Sequence, residues 1–160
     1  MKKNQKGFSL IELLIVVVII GIIAAIAIPN LIASRRAANE GSAQSTLRSL
    51  HSAEVAYSAA GDGQYGTLAD LRAIVSIDEI IATGMKSGYT FNIERGTNPT
   101  TRTFSVGASP TSISGVSATG TRNFCVGTDG VVYAYTSPST SSKTVPGATT
   151  NCASGGVAIQ

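Results

Sequence analysis

The chain has 160 residues, 43% of them hydrophobic and 13% charged, about half the charged share usual in soluble domains. That leaves a protein partly embedded in a membrane or covered by something other than water. Formal net charge is +3, but Lys2, Lys3 and Lys6 all precede Gly7, and beyond it nine bases meet nine acids. Only Arg35 and Arg36 adjoin, which is not the basic face that a nucleic-acid reader needs.

Residues 8–28 read FSLIELLIVVVIIGIIAAIAI, and only Ser9, Glu12 and Gly21 among them are not apolar. As a helix the run is ~31 Å long at ~1.5 Å per residue, enough to cross a hydrocarbon layer of ~30 Å once. The preceding lysines favour a cytoplasmic N-terminus, a signal weakened by Arg35 and Arg36 on the far side. Three readings compete: a plain anchor, a secretory signal cut near Ala25-Ile26-Ala27, or a cut before the apolar run that leaves the helix on the mature chain. The apolar stretch is long for a signal peptide and contains an acid. Glu12 separates the readings. A carboxylate inside a span costs ~2.5–3.5 kcal/mol at mid-helix and less near the interface, and a simple anchor gains nothing from it. No base lies between Phe8 and Ile28, but a cut after Gly7 creates one, the α-amino group of Phe8, four residues from Glu12.

The segment KGFSLIELLIVVVIIGIIAAIAIP resembles the processing signature of the type IV pilin family, which includes the pseudopilins of type II secretion. A short basic leader, Gly7 before the cut, Phe8 as new N-terminus, Glu12 at mature position five and Pro29 after the apolar stretch all match it. The resemblance covers about the first 30 residues. It implies that a prepilin peptidase cuts between Gly7 and Phe8 and methylates the Phe8 amine. It implies also that Glu12 pairs with the Phe8 amine of a neighbouring subunit, where a dry filament core strengthens attraction and penalises an unpaired charge. Gly21 is a poor helix former and Pro29 lacks an N–H; by resemblance residues 21–29 become non-helical on polymerisation, the alternative being a mild kink.

Further along, Ala43, Leu47, Leu50 and Tyr57 keep one helical face across residues 30–60, with Arg35, Arg36, Glu40, Gln44 and Arg48 expected opposite and Arg36–Glu40 as a helix-supporting pair. Gly61-Asp62-Gly63 stops the helix. Thr67 caps a short helical segment, and Ser76-Ile77-Asp78-Glu79 reads as a capping box for another that ends at Gly84. Alternation predicts strands over residues 89–94, 101–106, 124–126 and 131–135, the last two joined by a Gly127-Thr128-Asp129-Gly130 turn. The expected fold is α+β, one long bent helix across a four-stranded antiparallel sheet. The organisation is a leader (1–7), a membrane or filament-core helix (8–28), its amphipathic continuation (29–60) and a head (61–160). Residues 136–150 form a Ser/Thr/Pro-rich loop. In an exported domain the two cysteines, Cys125 and Cys152, read as one disulfide rather than two free thiols; closing such a loop stabilises by ~3 kcal/mol. Resemblance makes that loop a filament-surface feature.

No catalytic constellation is present. His51 is the only histidine and suits a surface or packing role on the helix. Asp129-Gly130 suits the turn better than calcium, and the five tyrosines suit partial core burial. No cofactor is called for. The resemblance therefore implies a structural subunit, not an enzyme. It would be held in the inner membrane with its N-terminus in the cytoplasm, then built by the pilus assembly machinery into a homopolymeric surface filament for motility, adhesion or DNA uptake. A type II secretion pseudopilin, a minor pilin or a DNA-uptake pilin is the alternative. A nucleic-acid partner is disfavoured, because six bases meet six acids from Gly61 onward.

Overall fold

The structure, a computed structural model, describes residues 7–96, 102–136, 152–153 and 155–159. The leader residues 1–6 and most of the expected Ser/Thr/Pro-rich loop lie outside them. Helix α1 spans Leu10–Ala60 with Pro29 inside it. It is followed by α2 (Leu68–Ile74), α3 (Glu79–Ala82), and strands β1 (Met85–Lys86), β2 (Tyr89–Arg95), β3 (Phe104–Pro110), β4 (Asn123–Gly127), β5 (Val132–Tyr135) and β6 (Val157–Ile159). The chain divides into two units, one ending at Ser34 and one beginning at Arg35.

In the second unit all six strands form one antiparallel sheet in sequence order. Register aligns Ile93, Val106, Val126, Val132 and Ile159 in one cross-strand row, and Phe91, Ala108, Phe124, Ala134 and Val157 in the next. Apart from the exposed Val157, these rows meet Ala43, Leu47, Leu50 and Ala53 of α1 in one apolar core. Alternation then turns Cys125 and Tyr133, which pair across β4 and β5, to the opposite sheet face. There Cys125 is joined to Cys152 by a disulfide, with a Cα–Cα distance of 5.6 Å, and the Tyr135 hydroxyl donates to the Cys152 carbonyl.

The α+β architecture matches the sequence expectation, with differences that have local causes. The sheet has six strands, not four. β1 is two residues long and turns back through Ser87 and Gly88, both at positive φ, a hairpin geometry that small residues permit. β6 follows Cys152, which is tied to β4. β3 begins at Phe104 instead of residue 101 and runs on to Pro110; a strand buried on both faces need not alternate. Thr67 caps α2 in a reciprocal box with Asp70. For α3, Asp78 is the cap, accepting from the Ile80 N–H, while Ser76 sits at φ +57°.

The expected Arg36–Glu40 pair is absent, and Glu40 is not on the solvent face. It is buried and accepts from the Thr121 N–H (2.8 Å), the Thr121 hydroxyl (2.7 Å), and Arg122 Nε and Nη2 (2.9 and 2.7 Å). Arg36 instead donates to the carbonyls of Gly115 and Ala118, and Asn39 to that of Thr119. Three polar side chains of α1 thus lash the β3–β4 connection to the helix. Burial pushes the Glu40 carboxyl up, but the hydrogen bonds from Thr121 and Arg122, with the Arg122 charge, outweigh it and hold it below the ordinary range. Glu40→Ala leaves these donors unmatched and is expected to lower unfolding free energy by about 2–3 kcal/mol, measurable by denaturant titration of the detergent-solubilised chain.

Candidate functional site

In the first unit, the residues singled out for processing and assembly sit together at the start of α1. Gly7 and Phe8 precede the helix, and Phe8 is 93% exposed. Ser9 is the last residue before the helix, and Leu13 N–H donates to its carbonyl at 3.3 Å. Glu12 reaches back so that its Oε2 accepts from the Ser9 backbone N–H at 2.9 Å. This is the returning half of a capping box, and the Ser-x-x-Glu spacing was its signal in the sequence. The acid therefore lies at the positive end of the helix dipole, and the Ser9 N–H it accepts from is one residue after the nitrogen that a cut after Gly7 would free.

The apolar side chains from Leu10 to Leu31 are mostly exposed by half or more, and the span is long and apolar enough to cross a membrane. Gly21 has open space around it, and the helix runs unbroken from it past Pro29. Just after the proline, the Asn30 amide donates to the Ile26 carbonyl and the Ser34 hydroxyl to the Asn30 carbonyl, extra bonds where the ladder has lost a donor.

The prokaryotic N-terminal methylation motif matches residues 2–28. The type IV wide pilus major component PilA4 of Thermus thermophilus is 63% identical over 38 residues, 24% of this chain and 29% of that protein. The type IV major pilin protein PilA of Myxococcus xanthus is 46% identical over 54 residues, 34% and 24% of the two chains. The type II secretion system core protein G of Pectobacterium carotovorum is 35% identical over 73 residues, 46% and 47% of the two chains. The N-terminus of the chain is thus similar to those of type IV pilins and of a type II secretion core protein. The chain spans less than half the length of these relatives, and no solved structure matches it significantly.

The head that follows this segment places the other noted residues in packing or turn roles. His51 is half-buried, with its ring centroid 5.6 Å from that of Phe104. Asp129 accepts from the Val131 N–H and the Tyr133 hydroxyl, which suits a turn. Tyr89 is fully buried and donates to the Arg122 carbonyl. Sequence reasoning passed over Glu54, which lies on the core face of α1 with 0% exposure. Its Oε2 accepts from the Gly66 N–H at 2.9 Å, and its Oε1 has no partner among the described residues. Burial pushes this carboxyl up to about 7, against the Gly66 hydrogen bond and the Arg95 charge, while Asp70 adds to the rise. The only signal was its place in the buried stripe, one residue after Ala53. A raised folded-state value means the stabilising protonated form is fully present below the ordinary carboxylate range. Its contribution is lost as pH rises through about 7. Stability is expected to fall by about 3 kcal/mol across that window. Glu54→Gln should flatten the slope, as followed by melting temperature against pH.

Proposed function

We propose that this chain is the precursor of a structural subunit of a type IV pilus filament. A prepilin peptidase cuts it between Gly7 and Phe8 and methylates the new Phe8 amine. The trimmed chain waits in the inner membrane, N-terminus in the cytoplasm, until assembly machinery packs it into a helical homopolymer displayed on the surface. One observation carries the reading. Glu12 is the sole charged residue from Phe8 to Ser34, and it sits at the helix start beside the scissile position.

The chemistry is a matter of timing. Before the cut, the nitrogen of Phe8 is an uncharged amide, and among the described residues the carboxylate accepts only from the Ser9 N–H. After the cut, that nitrogen is an ammonium, a full counter-charge within the same apolar layer. In a packed helical core a Glu12 carboxylate meets the Phe8 amine of a neighbour in one stagger only. Every other stagger leaves two charges buried without partners, which is strongly penalised. The pair therefore specifies register while apolar contact supplies the affinity. Methylation retains the charge of the amine. On this reading Gly21 and Pro29 let residues 21–29 lose helix in the polymer, and the Cys125–Cys152 loop belongs to the outer surface. No residue is assigned a catalytic role.

A second reading is a pseudopilin of type II secretion, which builds a short secretion-linked filament. It is favoured by the 73-residue match to core protein G, longer than the two pilin matches above.

Mass spectrometry of filaments sheared from cells should show a chain beginning at methylated Phe8; a chain beginning at Ile28 would restore the signal-peptide reading. Its abundance in that fraction separates a major pilin from a scarce pseudopilin. Glu12→Ala should leave membrane insertion unchanged and reduce surface filament by at least tenfold, scored by immunoblot of sheared and membrane fractions. Normal filament yield would refute the pairing.

A further inference from the structure

Two apolar rows run along the helix-facing side of β2 and β3, and each ends in an arginine. On β2 the core-facing residues are Tyr89, Phe91 and Ile93, and the next of that parity is Arg95. On β3, read backwards, Ala108, Val106 and Phe104 face the core, and Arg102 is next. Arg95 is the register partner of Phe104, and the Gly96 N–H donates to the Thr103 carbonyl. Both guanidinium groups therefore rise at the same end of the sheet. Helix α1 has ended at Ala60, and the loop of residues 61–66 lies against them. Arg95 Nη1 donates to the Tyr65 carbonyl at 3.3 Å. Arg102 lies so close to Gly63, at φ +72°, that an added Cβ would sit 2.5 Å from its Nη1. The result is a cleft of about 360 Å³ lined by Gln64, Tyr65, Arg95, Gly96, Arg102 and Thr103.

Among the described residues neither arginine of this cleft has a carboxylate at contact distance, although the Arg95 charge reaches Glu54 and Asp70 from further off. Among the described residues beyond Gly61, Arg72, Lys86 and Arg122 each meet a carboxylate, of Glu79, Asp78 and Glu40 respectively. Arg95 and Arg102 are the two bases of that region with no described carboxylate within 4.0 Å, and they line one cleft. We propose that this cleft binds a small oxyanionic ligand, a carboxylate- or phosphate-bearing molecule of about monosaccharide size. Two guanidinium forks match the paired oxygens of such a group. The Tyr65 ring, held at 4.5 Å centroid distance on Phe104, gives an apolar wall, and Gln64 offers a donor and an acceptor for hydroxyl groups. Asp62 lines the adjoining recess with Arg95, so the anionic group seats on the Arg102 side, away from it. The inference does not depend on filament formation.

Isothermal titration of the full chain in detergent micelles at low ionic strength tests it, with galacturonic acid, inorganic phosphate and neutral galactose as probes. Saturable binding of galacturonate or phosphate, but not of galactose, is expected. Arg95→Gln and Arg102→Gln should each weaken binding by roughly tenfold or more, and Arg72→Gln should leave it unchanged, with melting curves showing that the variants stay folded. Preference for galacturonate assigns an acidic saccharide as the source; preference for phosphate assigns a phosphoryl group. The proposal is overturned if neither anion saturates, or if a folded Arg95→Gln/Arg102→Gln double variant binds like the parent.

Discussion

A lone carboxylate at the head of an apolar helix governs how the first unit can be used. Alone in water, the Glu12 side chain has solvent and the Ser9 N–H. In lipid or in a packed bundle, solvent is gone and one backbone donor is a weak substitute for hydration. The apolar surface of α1 thus drives the segment out of water, and on the proposed reading Glu12 would restrict where it can stop. Without the acid, a helix with apolar side chains all round would slide and rotate against its neighbours with little preference, since dispersion contacts between aliphatic side chains are non-directional.

The second unit uses its own buried acids differently. Glu40 is fully met, by four donors from Thr121 and Arg122, and it fastens α1 to the connection between β3 and β4. Among the described residues Glu54 is half met, by Gly66 alone, and it is held protonated over a wider pH range than an ordinary carboxyl. Two acids fourteen residues apart on one helix thus have opposite shifts. Burial raises both, and the number and charge of the donors decides the outcome.

The parts of this structure readable in the sequence are those set by short-range rules. The apolar span, the helix stop at Gly61, the Thr67 cap and the Gly127–Gly130 turn each follow from local chemistry. So does the stripe of Ala43, Leu47 and Leu50, because a 3.6-residue period leaves a mark in any window. The helix face was misjudged at Glu40, whose donors lie more than eighty residues away. An i,i+4 neighbour in sequence is a weaker partner than an arginine brought in by the sheet that donates twice to Glu40 Oε2. β1 and β6 are too short to show alternation, and their pairing depends on a turn at positive φ and on a covalent tie. The Arg95–Arg102 juxtaposition appears only once β2 and β3 are in register.

If the chain packs among copies of itself, as proposed above, the brevity of β1 and β6 has its own meaning. These are the two margins of the sheet, and they are two and three residues long. A margin strand offers unpaired N–H and C=O groups to whatever comes alongside, and in a fibre the local concentration of identical margins is extreme. Long open margins would let sheets of adjacent heads anneal into a continuous ribbon, locking the coat and competing with contacts between the core helices. In such a polymer, truncated margins would keep each head a closed tile and leave cohesion to the helices.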